Sequence, residues 1–224
     1  MESKKIAAEK ATAYVVNDMI VGLGTGSTVF YAIQKLGEMV KEGLQIKTVS
    51  SSVQSKKIAD ELNIPSVEFS EIEHIDVYID GADEVDPHHF LIKGGGGALL
   101  REKMIAYNSK RFVVVADESK VVNVLGKFPL PVEIVPFAYD LTLAHIRKLG
   151  SVAELRQKDG QNYISDNGNL IADCHFNAIP DPAVLNDKLH AIPGVVETGI
   201  FLNTIVSQVI IGYQDGSVKD LPRV

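Results

Sequence analysis

A run of glycines and hydroxyl residues at 22–28 has the composition of an anion-binding loop. It reads Gly-Leu-Gly-Thr-Gly-Ser-Thr and lies between an apolar stretch and a helical pattern. Glycines let a ligand approach the backbone, N–H groups at a helix start point toward an anion, and Ser27 and Thr28 add hydroxyl donors. The loop does not match a dinucleotide fingerprint, because Ser27 or Val29 stands where the third glycine belongs. It does not match a P-loop, because no Gly-Lys-Ser/Thr follows. The loop therefore predicts a site for a small phosphate ester, with a capped tight turn as the alternative.

An acidic motif, Asp80-Gly81-Ala82-Asp83-Glu84, follows a buried strand predicted over 76–79. The carboxyl ends of strands in open parallel sheets face the ligand crevice. Carboxylates three residues apart could accept hydrogen bonds from sugar hydroxyls or, through mutual repulsion, take part in proton transfer. A Mg²⁺ site is disfavoured because no third ligand has metal spacing. The alternative is an acidic turn at the surface.

A second glycine run, Lys93-Gly94-Gly95-Gly96-Gly97, precedes a helix predicted over 98–107. Four glycines lose much backbone entropy on ordering, so their presence favours close approach of a ligand over a flexible linker. Lys93 could stabilise an oxyanion that develops during a reaction. Glu102, early in the helix, is either a solvated charge or a carboxylate in the same crevice as Asp80 and Asp83.

Two lysines are candidates for a phosphate contact. Lys120 follows a strand predicted over 112–116 and could reach a phosphate at that edge of the sheet. Lys4 could do the same, although it lies in no motif. Taken singly, each lysine is better explained as a surface charge.

The elements that must position these residues alternate between helix and strand, which is typical of a mostly parallel, Rossmann-like sheet covered by helices. Periodicity predicts helices over 6–16, 29–40, 56–62 and 98–107, and strands over 19–23, 46–49, 67–69, 76–79 and 112–116. The fold class is thus predicted to be α/β.

Three prolines at 129, 131 and 136 mark the start of a second, smaller lobe. Its pattern is strand 132–137, helix 140–149, strand 152–156, a hairpin pairing 163–164 with 170–176 across 166–169, helix 182–191 and strand 195–200. This β-α-β-β-α-β order predicts a ferredoxin-like α+β lobe. A terminal hairpin, 206–213 with 218–221, could rejoin the first domain. The predicted domains are 1–128 with 203–224, and 129–202.

Composition excludes several classes of function. The 224 residues carry a formal net charge of −7 without long single-sign runs, which argues against a nucleic-acid partner. No apolar run approaches the ~20 residues of a membrane span. The single cysteine and the lack of a secretory leader pattern predict a cytoplasmic protein.

Four spaced motifs resemble the type A ribose-5-phosphate isomerases: Gly24-Thr25-Gly26-Ser27-Thr28, Asp80-Gly81-Ala82-Asp83-Glu84, Lys93-Gly94-Gly95-Gly96 with Arg101-Glu102-Lys103, and Gly126-Lys127-Phe128-Pro129-Leu130-Pro131-Val132-Glu133. The resemblance covers nearly the whole chain. It implies an aldose–ketose isomerase (an intramolecular oxidoreductase) of the pentose phosphate pathway, without cofactor or metal, that acts on ribose 5-phosphate as a homodimer or a dimer of dimers.

The resemblance also implies roles for individual residues. Glu102 corresponds to the base, and Asp80, Asp83 and Lys93 complete the catalytic group. The residues corresponding to substrate-binding positions are Thr25, Gly26, Ser27, Thr28, Gly81, Ala82, Gly94, Gly95, Gly96 and Lys120. Two other classes of protein are alternatives: a non-catalytic sugar-phosphate sensor, and an acyl- or CoA-transferring enzyme with Glu102 as nucleophile.

Overall fold

A computed structural model describes residues 1–224 and contains six α-helices and fifteen strands. The helices are α1 Glu2–Thr12, α2 Ser27–Lys41, α3 Val53–Glu61, α4 Leu99–Tyr107, α5 Tyr139–Arg147 and α6 Pro182–His190. The strands are β1 Ile20–Leu23, β2 Lys47–Ser50, β3 Ile75–Gly81, β4 Glu84–Val85, β5 Leu91–Ile92, β6 Ser109–Asp117, β7 Leu130–Ile134, β8 Val152–Leu155, β9 Gln157–Lys158, β10 Gln161–Asn162, β11 Leu170–His175, β12 Val195–Thr198, β13 Ile200–Phe201, β14 Gln208–Gly212 and β15 Val218–Asp220. The predicted α/β class is confirmed.

The chain forms two compact units. Unit 1 comprises Met1–Ala82, Arg101–Val121 and Thr204–Val224, and unit 2 comprises Asp83–Leu100 and Val122–Asn203. These bounds differ from the predicted domain limits chiefly at Asp83–Leu100. That segment joins unit 2 because its strand β5 pairs with β13.

Unit 1 is built on a six-stranded sheet in the order β15-β14-β6-β3-β1-β2. All neighbouring strands are parallel except the β14–β15 hairpin. The terminal hairpin thus joins the first sheet, as predicted. Apolar side chains of β1, β3 and β6 form a core with α1 and α2, and Val21, Val77 and Val113 are at most 2% exposed. Such continuously apolar strands are typical of a parallel sheet buried on both faces.

Unit 2 contains a four-stranded antiparallel sheet in the order β12-β7-β11-β8. With α5 after β7 and α6 after β11, its order along the chain is β-α-β-β-α-β. This topology confirms the predicted ferredoxin-like lobe. A smaller sheet in the order β13-β5-β4 and the β9–β10 hairpin complete the unit.

Two predicted elements of unit 1 are wrong. Residues 67–69 form no strand; Ser66 makes an isolated bridge to Thr48, and a 3-10 helix begins at Phe69. Glu68 and Glu71 form a reciprocal capping box there, which favours the helical turn over extension. The first helix was predicted over 6–16 but spans Glu2–Thr12, because charged helix-forming residues extend it toward the amino terminus.

Two predicted elements of unit 2 are only partly correct. The strand predicted over 195–200 is interrupted at Gly199, whose N–H donates to the carbonyl of Pro131 at 2.7 Å and whose carbonyl accepts from Lys93 N–H at 2.9 Å. The strand therefore passes from one sheet to the other at this glycine. In the predicted hairpin, the turn is present but the pairing before it reduces to a bridge between Ile164 and Leu170.

A buried carboxylate holds that turn. Glu133, in β7, is 0% exposed. Its Oε1 accepts from the Ser165 hydroxyl at 2.9 Å and from the side-chain amides of Asn167 and Asn169 at 3.1 and 2.9 Å. The Asn-Gly turn is therefore specified by a strand residue as well as by its own φ preferences.

We expect Glu133→Ala to lower the free energy of unfolding by about 2–4 kcal/mol, because three donors lose a shared buried acceptor. Urea unfolding followed by circular dichroism measures the change. Glu154→Ala, on the exposed side of β8, is the control and should stay within about 0.5 kcal/mol of wild type. Equal effects of the two substitutions would contradict the role of Glu133.

Candidate active site

The first glycine loop begins helix α2 in unit 1. Gly26 precedes the helix with φ +110°, a conformation that glycine adopts without strain. The N–H groups of the first turn have no intrahelical acceptor, and Gly26 and Ser27 are exposed. Thr25 is turned inward instead, and its hydroxyl lies 2.8 Å from Ser51 Oγ and 2.9 Å from Ser52 Oγ. The helix start therefore offers donors to an anion, as the sequence predicts.

Two lysines contribute positive charge in unit 1. Lys4 Nζ, from α1, donates to Ser27 Oγ at 3.0 Å. Lys4 and Lys120 also act on Asp117: burial opposes its ionisation, but hydrogen bonds from Ser119 and the two lysine charges hold the pKa of Asp117 below its usual value. The fold thus assembles Lys4, which lies in no motif, with one of the predicted phosphate-binding residues.

Asp80 is the next-to-last residue of strand β3 and is 0% exposed. Its Oδ1 accepts from the N–H groups of Thr25 at 3.1 Å and Gly81 at 2.7 Å, and its Oδ2 accepts from the Tyr78 hydroxyl. A Cβ on Gly24 would lie only 2.1 Å from Asp80 Oδ1. The glycine is therefore required by the carboxylate as well as by the loop.

Glu102 lies in the first turn of α4 and is 3% exposed, so the solvated-charge alternative is wrong. Its charge reaches Tyr78, which lies beside Asp80. Burial, followed by the negative charges of Asp80 and Glu102, raises the pKa of Tyr78 well above its ordinary value. Tyr78 is therefore a neutral donor at physiological pH, and unit 1 clusters two buried acidic residues around it.

Unit 2 carries the other predicted group. Asp83 Oδ2 accepts from Gly95 N–H at 2.7 Å. Lys93 is 3% exposed, and its ammonium lies 5.3 Å from the centre of the Phe201 ring. Gly95 and Gly96 are exposed, whereas Gly94 and Gly97 are buried with φ of +98° and +83°. The glycine run is therefore an ordered loop, and the flexible-linker alternative is wrong.

Glu84, the last acidic residue of its motif, has a structural role. It is 3% exposed, and its two oxygens accept from the N–H groups of Gly126 at 2.7 Å and Phe128 at 2.6 Å. This buried carboxylate thus joins the acidic motif at 80–84 to the motif at 126–133. Across the whole chain, no group of three or more His, Cys, Asp or Glu residues could hold a metal ion.

Tyr78 is a site residue that sequence reasoning missed. In the sequence it is one aromatic residue of an apolar strand, which is more often part of a core. The alternation of side chains along a strand could have indicated it. Tyr78 and Asp80 are two residues apart in β3, so their side chains project on the same face of the sheet.

A parallel α/β sheet with an exposed helix start and a buried carboxylate near a strand end has the features of α/β enzymes that act on phosphorylated substrates. No helix of the chain is long and apolar enough to cross a membrane.

Comparison with known proteins narrows this class. Residues 47–216 match the family described as ribose 5-phosphate isomerase A (phosphoriboisomerase A). The ribose-5-phosphate isomerase A of Bacillus mycoides (strain KBAB4) is 49% identical over 217 residues, covering 96% of this chain and 98% of that protein. The chain belongs to the ribose 5-phosphate isomerase A family.

Solved structures of similar sequence and fold support the same family. The ribose 5-phosphate isomerase A of Methanocaldococcus jannaschii is 42% identical with a TM-score of 0.91, covering 98% of this chain and 97% of that one. A D-ribose-5-phosphate isomerase in complex with phospho-erythronic acid is 44% identical with a TM-score of 0.94, with the same coverage of both chains.

The raised pKa of Tyr78 predicts a loss of stability at high pH. Above the ordinary tyrosine value of 10.0, the unfolded state loses a proton that the folded state keeps, so the free energy of unfolding falls as pH rises further. Below that value the contribution is fully present. We expect Tyr78→Phe to make this decline shallower, while the lost hydrogen bond costs about 1–2 kcal/mol near neutral pH. Urea unfolding between pH 8 and about 11.5 measures both effects.

Tyr107→Phe is the matched control, because Tyr107 is 77% exposed. It should retain the wild-type decline. An unchanged decline in Tyr78→Phe as well would contradict the raised pKa of Tyr78.

Proposed function

We propose that the protein interconverts D-ribose 5-phosphate and D-ribulose 5-phosphate through an enediolate, with Glu102 as the base that moves the proton. Family membership supplies the reaction. The observation that carries the residue assignment is the burial of Glu102 in the first turn of α4, with its charge acting on the same tyrosine that donates to Asp80.

The reaction requires two proton transfers at adjacent carbons. In the open-chain aldose the base removes the C2 proton, and its electron pair forms a C1–C2 double bond while negative charge moves to the C1 oxygen. Return of the proton to C1 and transfer of the C2 hydroxyl proton to the C1 oxygen then generate the ketose. Glu102 can serve both steps because one carboxylate lying over a single face of the planar enediolate can reach both C1 and C2, and it is regenerated at the end.

The negative charge on the enediolate must be stabilised by hydrogen-bond donors or a positive charge. Lys93 and the N–H groups of Gly94, Gly95 and Gly96 are proposed to stabilise it. Asp80 and Asp83 are proposed to accept hydrogen bonds from substrate hydroxyls, one of them assisting ring opening. Asp83 already accepts from Gly95 N–H, which links this carboxylate to the glycine loop.

The phosphate requires local positive charge, because the net charge of −7 repels a dianion. Ser27, Thr28 and the first N–H groups of α2 are proposed to bind it together with Lys120. The bond from Lys4 to Ser27 adds Lys4 to this set. Thr25, Gly26, Gly81 and Ala82 are proposed to complete the substrate contacts.

A ligand present in a related structure supports the proposed orientation of the substrate. Phospho-erythronic acid, present in one related structure, has a phosphate at one end and a carboxylate at the other. Its carboxylate is planar and negatively charged, as is the enediolate that the aldose would form. We propose that this chain binds the same acid with its phosphate at the start of α2.

The oligomeric state and the cellular location of the protein are also proposed. A homodimer or a dimer of dimers is proposed from the family resemblance. A cytoplasmic location is proposed because the single cysteine, Cys174, cannot form an internal disulfide.

Glu102→Gln tests the base. It should lower kcat for ribose 5-phosphate by about 10²–10⁴-fold, because the amide cannot accept the C2 proton, while KM changes little. Formation of ribulose 5-phosphate measures both constants. Glu38→Gln, whose side chain is 62% exposed on α2, is the control. Near-native kcat in Glu102→Gln would end the assignment.

Lys120→Ala tests the phosphate site. Loss of a cation that contacts the non-reacting phosphate should raise KM more than it lowers kcat. Lys57→Ala, at a side chain 78% exposed and paired with Glu61, removes the same charge elsewhere and should leave both constants unchanged. A larger effect on kcat than on KM would remove Lys120 from the phosphate site.

A further inference from the structure

We infer that Arg156, which follows strand β8 in unit 2, is a positioning residue that holds the second glycine loop in its substrate-binding conformation. Its Nη1 donates to the carbonyl of Gly94 at 2.9 Å and to the carbonyl of Gly95 at 3.1 Å. The inference rests on the proposed role of this loop in binding substrate. Arg156 belongs to none of the motifs from which the site was predicted.

The guanidinium is itself fixed by a carboxylate. Arg156 Nε donates to Asp173 Oδ2 at 2.9 Å and Nη2 donates to Asp173 Oδ1 at 2.5 Å, with side-chain exposures of 14% and 26%. A bidentate pair defines the plane of the guanidinium as well as its position. Since Asp173 lies on β11, the neighbour of β8, the sheet determines where the remaining donor points.

This contact determines the direction of the loop N–H groups. The chain has no cis peptide bond, so each N–H points opposite the carbonyl of the preceding residue. The N–H of Gly95, opposite the Gly94 carbonyl, donates to Asp83. The N–H of Gly96, opposite the Gly95 carbonyl, is directed away from Arg156. By holding two carbonyls, the guanidinium thus presents Gly96 N–H as a donor for a substrate oxygen.

Tyr163 extends the same arrangement to a third carbonyl. Its hydroxyl donates to the carbonyl of Gly96 at 3.5 Å, and its ring centre lies 5.9 Å from the Arg156 guanidinium. A Cβ on Gly97 would lie 2.4 Å from the Tyr163 hydroxyl. The fourth glycine therefore makes room for a side chain that holds the loop. Three successive loop carbonyls are bound by two residues.

A loop of four glycines needs this kind of support. Glycine has the largest backbone freedom of any residue, so an unrestrained loop would lose the most entropy when a substrate orders it. Arg156 restricts the loop before the substrate binds. Its removal should weaken binding and also misplace the donors in the transition state, so that KM rises and kcat falls.

The experiment compares Arg156→Met with Arg147→Met. Arg147 is the matched control because it also binds a carbonyl of unit 2 through its guanidinium, donating to Ala153 O from Nε at 3.1 Å and from Nη2 at 2.7 Å. Thermal unfolding, KM, kcat and the Kd of phospho-erythronic acid by calorimetry are measured for each. Both variants should lose stability, but only Arg156→Met should lose kcat/KM, by roughly 10- to 100-fold, with weaker binding of the acid.

Conservative variants keep the test informative if Arg156→Met fails to fold. Arg156→Lys retains one charged donor and should recover part of kcat/KM. Asp173→Asn retains Arg156 but removes its charged partner, and should give an intermediate loss.

The inference is overturned if the Arg156 and Asp173 variants lose stability while KM, kcat and the Kd of the acid match those of Arg147→Met. That result would leave the isomerase assignment intact, because wild-type turnover and the Glu102→Gln result are measured independently in the same assay.

Discussion

Burying a carboxylate costs free energy unless hydrogen bonds replace its lost hydration, and this constraint governs the arrangement of unit 1. Asp80 at the end of β3 is fully buried and accepts from Tyr78, Thr25 and Gly81. Those donors require a turn of the first loop toward β3, which leaves no space for a Cβ on Gly24. Gly24 is therefore required by the buried acid, whether or not a ligand approaches the loop.

The same constraint distinguishes the fully satisfied buried acids of unit 2 from a partly exposed one. Glu84 and Glu133 are both buried and satisfy backbone N–H groups or turn side chains, so they hold connections of the fold. Asp83 is partly exposed and binds a single loop N–H, which leaves acceptor capacity for a ligand. Asp83 and Glu84, which are adjacent in the sequence, thus differ in exposure and in the hydrogen bonds that they accept.

Periodicity and motif spacing predicted much of the fold and of the candidate site. The parallel strands, the ferredoxin-like order and both glycine loops depend on residues close together in the chain, so local patterns contain them. One failure has a local cause and the other a long-range cause. Residues 67–69 have the composition of a strand, but the reciprocal caps of Glu68 and Glu71 favour a helical turn. The strand over 195–200 reads as continuous, but Gly199 changes sheets to meet Lys93 and Pro131.

By itself the sequence determined which residues could carry charge, which positions had to be glycine, and how helices and strands follow one another. Only the tertiary structure decided three hydrogen bonds between side chains and their partners. Lys4 donates to Ser27, and the Tyr78 hydroxyl donates to Asp80. Arg156 donates to the carbonyl of Gly94, 62 residues earlier. The physical reason is that such hydrogen bonds depend on strand order and side-chain packing. These bring distant segments within about 3 Å of one another, and no pattern of neighbouring residues encodes that distance.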